Sequence, residues 1–433
     1  MTEIKYDGLP ASENAAGQRS PSRSLDRWQK WIAILAFGAL LAWLAYATLG
    51  SNLFGKRHFP ESIVDYRILY DQSREVVNRG LYPAGPIFPY PPSAVSLFYV
   101  TGLPTFSLAA SLWLTVTFLA SLGVFVLGTS LVGLDRHWTR WIVALVALAL
   151  INYCVVWDLR SQNCNMIYCF LLTASLAALL YKRDTWAGFF LAAGIALKLY
   201  PILLLPYFLW IGRRRAFAAT IIFLIVFFGL LPLAVFRSHF MQAYATWIEM
   251  LRHIPDAISI SGHPILVSIP FTLRHLGLTP SLVSWVTRTT FLVWLGAAGL
   301  ALYIGWRKRD RRIIRGWDLA VDGGVLALVP VMISPYFEAY HAVPALLLAL
   351  ALAQRCIPPG RIRPVELVLL VIAVGTGLAA LHIFGKFHAR GLGLYLQILL
   401  LTLAIIVIRS QRWISQKAEL DDTVASRDYQ SAP

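Results

Sequence analysis

Charge is scarce in this chain. Only 14% of its 433 residues are Asp, Glu, Lys or Arg, where soluble domains carry about 25%. That shortage excludes an ordinary soluble enzyme, which needs a charged surface. Acids are the scarcer sign, 22 against 38 Lys and Arg, for a formal net charge of +16. In a soluble protein such an excess points to nucleic acid. Here the basic residues sit in short loops between apolar runs, and no basic face with interleaved aromatics stands clear of them. Nucleic acid is therefore not an expected partner. Cysteine is nearly missing. Cys154, Cys164, Cys169 and Cys356 fall in or beside apolar segments, with no CxxC and no Cys/His pair at metal spacing. They read as small core residues. The chain also lacks a Ser-His-Asp order, a Gly-rich phosphate loop and a nucleotide motif. Nothing in the sequence calls for a cofactor or a metal.

What the chain has is apolar sequence. Hydrophobic residues make up 58% of it, and runs of about 20 recur along its length. The expected fold class is an all-α polytopic membrane protein, a bundle of about 10–12 transmembrane helices. Spans are expected near 29–49, 105–132, 138–158, 162–181, 216–236, 281–306, 318–333, 338–356, 364–384 and 391–409. The pieces 92–103 and 264–277 are apolar but too short to cross. They suit the interface. Ala45-Tyr46-Ala47 matches a signal-peptidase site, but the polar region before it is long and the apolar run can span, which favours a retained anchor.

Residues 186–211 are ambiguous. Lys198 and Pro201 stand mid-segment, where a charge is expensive and a proline removes a helix hydrogen bond. Each half is ~12–13 residues, about 18–20 Å of helix against a ~30 Å core. A hairpin of two short helices is expected. The positive-inside rule agrees. With the N-terminus cytoplasmic and no net crossing at the hairpin, the basic loops at Asp135–Arg140, Lys182–Asp184, Arg213–Arg215, Arg307–Arg315, Arg361–Arg363 and Arg409–Arg412 all fall inside. A single crossing would move every loop from Arg213 onward outside. Both termini are then cytoplasmic and the tip at Lys198 faces outward.

Polar residues gather on that outer face. Asp65 opens a helix in which Asp71 and Glu75 are spaced to pair with Arg67 and Arg79 at i,i+4. Asp65 has no such partner. It is either a helix-start carboxylate favoured by the dipole or a functional acid. Leu81-Tyr82-Pro83 and Phe88-Pro89-Tyr90-Pro91-Pro92 make an aromatic entry to the membrane, a plain interface loop or a wall for sugar or lipid. Gln162, Asn163 and Asn165 open a span beside Arg160; they cap backbone amides or bind a polar substrate. Lys198 is an intramembrane lysine, which either snorkels or meets a lipid-linked phosphate. His341, with Glu338 and Tyr340, starts another span.

In this order the motifs resemble glycosyltransferase family 87, of the GT-C superfamily, which includes the mycobacterial phosphatidylinositol mannoside mannosyltransferase. They are Asp65-Tyr66 through Phe88-x-Tyr90-Pro91-Pro92, Ser161-Gln162-Asn163, Ala187-Gly188 with Lys198-Leu199-Tyr200-Pro201, and Ser334 to His341. Ser161 replaces a usual glycine, and a paired histidine is reduced to Tyr340-His341. The resemblance implies a polyprenyl-phosphate donor, often of mannose, used on the periplasmic side of a bacterial inner membrane. It implies a lipid or envelope-glycan acceptor and an inverting displacement. Asp65 maps to the catalytic base. Lys198 and then Arg160 would meet the donor phosphate, and Tyr66, Tyr82, Tyr90, Gln162, Asn163, Glu338 and His341 would line the substrates. The expected organisation is a cytoplasmic tail (1–28), a GT-C-like catalytic membrane domain (29–409) and a second cytoplasmic tail (410–433). Within the domain, 50–104 is the first periplasmic loop with interfacial helices and 186–211 the broken-helix hairpin. A lipid or sugar transporter is the rival class, since broken helices with a charge also mark transport sites. Against it, the discontinuous segment has no counterpart in the second half.

Overall fold

A computed structural model describes residues 23–50, 64–82, 89–103, 105–134, 139–261, 273–274, 277–307, 315–334, 339–356, 368 and 394–411. All regular structure among them is helical. Among the described residues, six helices are long and apolar enough to cross a membrane: Trp28–Gly50, Phe106–Leu131, Arg140–Ser161, Arg214–Arg252, Pro280–Arg307 and Leu394–Gln411. Four shorter apolar ones accompany them, Asn165–Leu180, Asp184–Leu197, Tyr200–Trp210 and Ala345–Arg355. The protein is an all-α polytopic membrane protein. The expected span at 364–384 lies outside the described residues, as does most of 264–277.

In chain order the elements used below are α1 Arg23–Ala45, α2 Val64–Arg79, α3 Pro92–Thr101, α4 Phe106–Leu131, α5 Arg140–Ser161, α6 Asn165–Leu180 and α7 Asp184–Leu197. Then come α8 Leu204–Trp210, α9 Arg214–Ile225, α10 Leu231–Phe236, α11 Phe240–Ser261, α12 Pro280–Arg307, α13 Gly316–Ile333, α14 Ala345–Cys356 and α15 Leu394–Gln411.

Residues 186–211 form the hairpin. α7 ends at Lys198, whose backbone is extended (φ −148°, ψ 132°), and a 3-10 turn over Tyr200–Leu203 carries Pro201 into α8. The return is fixed at the base. Arg213, just past α8, pairs with Asp184 at the start of α7, Nη1 to Oδ1 at 3.4 Å, and donates to the Leu179 carbonyl at 3.3 Å. The chain has therefore come back to the level from which α7 left. Next, α9 lies against α7 at Gly188. A Cβ there would stand 2.6 Å from Ala219 Cβ and 2.8 Å from the Ala216 carbonyl, so only glycine permits this approach.

Several helices differ from their sequence limits. The expected 216–236 span runs on through a π turn at Val226–Leu230 and a 3-10 turn at Arg237–His239 into the amphipathic α11. The expected 338–356 span is helical only from Ala345, after a 3-10 turn at Ala339–Ala342. α5 is kinked at Ile151 (φ −120°, ψ 20°), and the Gln397 side chain of α15 donates to the Leu150 carbonyl there. An inserted side chain is one of the few causes of a sharp kink.

Two apolar clusters hold the bundle. The larger follows α1, α4–α8 and α12–α15. The smaller is aromatic: Tyr66, Tyr70, Tyr82, Tyr90, Phe98, Trp113, Tyr168 and Trp247 draw α2, α3, α11 and the start of α4 onto the tip of the hairpin. At the hairpin's base a buried ion network ties α8 to α12, α13 and α15. Arg409 pairs with Asp322 at 2.7 Å and Asp318 at 3.4 Å and donates to the Ala301 carbonyl, while the Tyr207 hydroxyl donates to Asp322 at 2.7 Å.

Candidate active site

The site begins with the turn between α5 and α6. Gln162 ends α5 in the left-handed conformation (φ 58°), which turns the chain so that Asn163 and Asn165 enter the protein. Asp158, one turn back on α5 and wholly buried, accepts the backbone N–H groups of Asn165 (3.3 Å) and Met166 (2.8 Å). These are among the donors a helix start leaves unpaired, and the helix dipole favours a carboxylate beside them.

Asn163 joins the sequence's two most conspicuous charged groups. Its Nδ2 donates to Asp65 Oδ2 at 3.1 Å. Its Oδ1 accepts from the Cys164 N–H (2.8 Å) and the Tyr90 hydroxyl (3.1 Å), and the Lys198 ammonium stands 3.5 Å away. The Cys164 N–H can only donate, so the amide cannot be turned the other way. Lys198, 8% exposed, donates more closely to Asn165 Oδ1, at 2.6 Å. Three tyrosine rings surround it, Tyr90 at 5.6 Å, Tyr200 at 5.8 Å and Tyr340 at 5.9 Å from ammonium to ring centre. These distances suit cation–π attraction. His341 closes the group, with Nδ1 3.5 Å from the Tyr200 hydroxyl. Ser93, near the start of α3, donates to the Ala196 carbonyl at 2.9 Å and so fixes the last turn of α7, just before Lys198.

Asp65, Tyr90, Asn163, Lys198 and His341, named from the sequence, are thus brought together. Others stand differently. Tyr66 is buried and stacks on Trp113, ring centres 4.7 Å apart, and burial pushes its phenol up to about 12. Tyr82 is buried with its hydroxyl donating to the Tyr90 carbonyl at 2.8 Å, so it braces Tyr90. Gln162 is buried too, and its backbone carbonyl accepts from the Trp113 indole at 3.0 Å. Arg160 is exposed at the end of α5, outside the buried group. Glu338 lies outside the described residues. The expected pairs on α2 form, Arg67–Asp71 at 3.6 Å and Glu75–Arg79 at 2.8 Å. Asp158, Tyr200 and Tyr340 belong to the group although their sequence positions carry little signal beyond nearness to Asn165, Lys198 and His341.

A family model described as Glycosyltransferase family 87 matches residues 88–335, more than half of the chain. The chain belongs to glycosyltransferase family 87. It is a membrane enzyme that transfers a glycosyl group from a sugar donor to an acceptor. The matched stretch contains Tyr90, Asn163, Asn165 and Lys198, and it stops short of Tyr340 and His341; Asp65 precedes it. No curated protein and no solved structure matches the family 87 chain.

Proposed function

We propose that this family 87 enzyme takes its sugar, mannose or another hexose, from a polyprenyl-phosphate donor and passes it to a lipid or envelope-glycan acceptor. The reaction runs on the periplasmic side of a bacterial inner membrane, with both termini cytoplasmic. The observation that carries this reading is the Asp65–Asn163–Lys198 arrangement, in which one amide separates a carboxylate from a buried ammonium. A base and a phosphate partner are what the reaction needs a few ångströms apart.

The acceptor hydroxyl attacks the anomeric carbon, and Asp65 takes its proton as general base. Asn163 donates to one carboxylate oxygen and so orients the group. The bond to the donor phosphate breaks as the new bond forms, inverting the anomeric centre. Negative charge grows on the departing polyprenyl phosphate and is met by a fixed positive group. Lys198 supplies it, held by Asn165 and the tyrosines. Tyr90 and His341 border the space where the sugar and acceptor would sit. The tails (1–28 and 410–433) flank a single catalytic membrane domain.

Sidedness rests on the basic loops. Arg213 and Asp184 share the base of the hairpin with Lys182 and Arg183, and Lys198 is at its other end. Positive charge marks the cytoplasmic side. Cytoplasmic nucleotide sugars cannot reach a site on the far face, which makes a lipid-phosphate donor the reasonable one.

The test is Asp65→Asn in membranes given a radiolabelled polyprenyl-phosphate sugar. Product formation should fall by about 10²–10⁴-fold, the usual contribution of a general base. Wild-type turnover in a well-folded variant would end the role of Asp65. Lipid and envelope-glycan mass spectrometry of a deletion strain identifies the acceptor through the missing hexose.

A further inference from the structure

Asp158 has no part in the mechanism above, yet it is a wholly buried carboxylate one residue away from the last contacts of the site. Besides the two backbone N–H groups of α6, its Oδ1 accepts Nδ2 of Asn165 at 2.7 Å. All three groups donate. A carboxylate in this position can only accept, so Asn165 must turn its NH2 toward Asp158. Its carbonyl oxygen then faces the other way, where Lys198 Nζ lies at 2.6 Å. The same NH2 also reaches Asn163 Oδ1 at 3.1 Å, which supports the orientation that points the Asn163 NH2 at Asp65. A single buried acid thus sets the direction of two amides.

We propose that Asp158 and Asn165 are positioning residues for donor binding, Asp158 turning the Asn165 carbonyl toward Lys198 and that carbonyl holding the ammonium where it meets the phosphate. The inference rests on the reading of Lys198 as the phosphate partner. The Asn165 amide serves here better than a carboxylate. It fixes the ammonium with a neutral oxygen and leaves its charge for the ligand, whereas an acid at position 165 would neutralise it. A hydrophobic side chain would leave the buried ammonium short of a partner. The tyrosine rings alone give attraction without a direction.

The probe is citronellyl phosphate, a prenyl phosphate that carries no sugar, titrated against the full-length detergent-solubilised protein with tryptophan fluorescence as readout. Thermal midpoints are recorded alongside. Asn165→Ala keeps both backbone N–H bonds to Asp158 and should fold. It should weaken binding about ten-fold, the size of a hydrogen bond to a charged group. Asn165→Asp should weaken it further. Asp158→Asn frees the Asn165 amide to flip and should behave like Asn165→Ala. In a Lys198→Met background, neither Asn165→Ala nor Asp158→Asn should weaken binding again, because both act through Lys198.

Unchanged binding in folded Asn165→Ala, with Lys198→Met impaired, overturns the positioning role and leaves Lys198 standing. Additive losses in the Lys198→Met background also overturn it, since a purely structural effect adds. If Lys198→Met itself binds normally, the phosphate role of Lys198 falls and the proposal falls with it. If Asp158→Asn does not fold, Asn165→Ala decides alone.

Discussion

Asn163 Nδ2 donates to Asp65 Oδ2 at 3.1 Å, across 98 positions of sequence. The contact links α2, which runs along the polar loop, to the turn that opens α6. It ties the placement of the carboxylate to that of the ammonium, since the same amide faces Lys198 with its other end.

Asn163→Asp should therefore damage the chemistry more than Asn163→Ala. Alanine removes a donor, whereas aspartate sets a like charge beside Asp65 and an attractive one beside Lys198. The expected result is a fall in kcat of about 10²-fold for the aspartate variant. Assay with a radiolabelled polyprenyl-phosphate sugar in detergent, with thermal midpoints as control, checks it. Equal kcat in the two variants would contradict the charge argument.

Tyr200 touches two members of the site in different ways. Its ring lies 5.8 Å from the Lys198 ammonium, and its hydroxyl is 3.5 Å from His341 Nδ1. Tyr200→Phe keeps the first contact and loses the second. Citronellyl phosphate binding should change by less than about three-fold in Tyr200→Phe, and by more in Tyr200→Leu, because cation–π attraction is worth about 0.5–2 kcal/mol. Matching losses would show that the ring does not support Lys198.

The Arg409 network predicts stability rather than activity. Arg409→Met removes the guanidinium from the buried Asp322 and the partly buried Asp318. The loss should be about 3–5 kcal/mol, and replacing both acids by asparagine in the same protein should recover part of it. Thermal unfolding in detergent measures both. No recovery in the triple variant would mean that Arg409 acts through packing alone.

Gly188→Val tests the hairpin. The added atoms would enter the α9 backbone, with the first Cβ 2.7 Å from the Thr220 N. Overpacking of this kind costs about 1–3 kcal/mol. The thermal midpoint should fall, and cleavage near residues 212–215 by an added protease should speed up. An unchanged midpoint would contradict the close packing of α7 on α9.

Tyr66 gives a prediction in alkali. Burial raises its phenol to about 12 from an ordinary 10.0, with the Arg74 charge pulling the other way. The folded protein keeps the proton where the unfolded chain loses it. This contribution is whole below pH 10 and fades as pH climbs toward 12. Tyr66→Phe should flatten that part of the stability profile. A profile that falls as steeply in the variant would assign the alkaline loss to other groups.

Much of the fold can be read locally. Scarce charge and repeated apolar runs identify a helical membrane protein, because lipid forces the backbone to satisfy itself within each span. The i,i+4 pairs of α2 depend only on helix geometry. The hairpin at 186–211 is legible because a lysine and a proline at mid-bilayer have few tolerable arrangements and the basic loops choose among them. The continuation of α9 through α10 into α11 is less legible: Arg237 and His239 look like a loop but fit a single 3-10 turn.

The sequence by itself determined the lipid environment, the helical class and the set of polar residues able to do chemistry, because those follow from composition and local spacing. Tertiary structure alone decided which of them meet. Tyr66 and Tyr82 turned inward against Trp113 and Tyr90, while Asp65, Asn163 and Lys198 came to one point. Asp158 acquired its donors only once Gln162 had turned the chain. Such contacts depend on how helices far apart in sequence rotate and pack, and no local pattern records that.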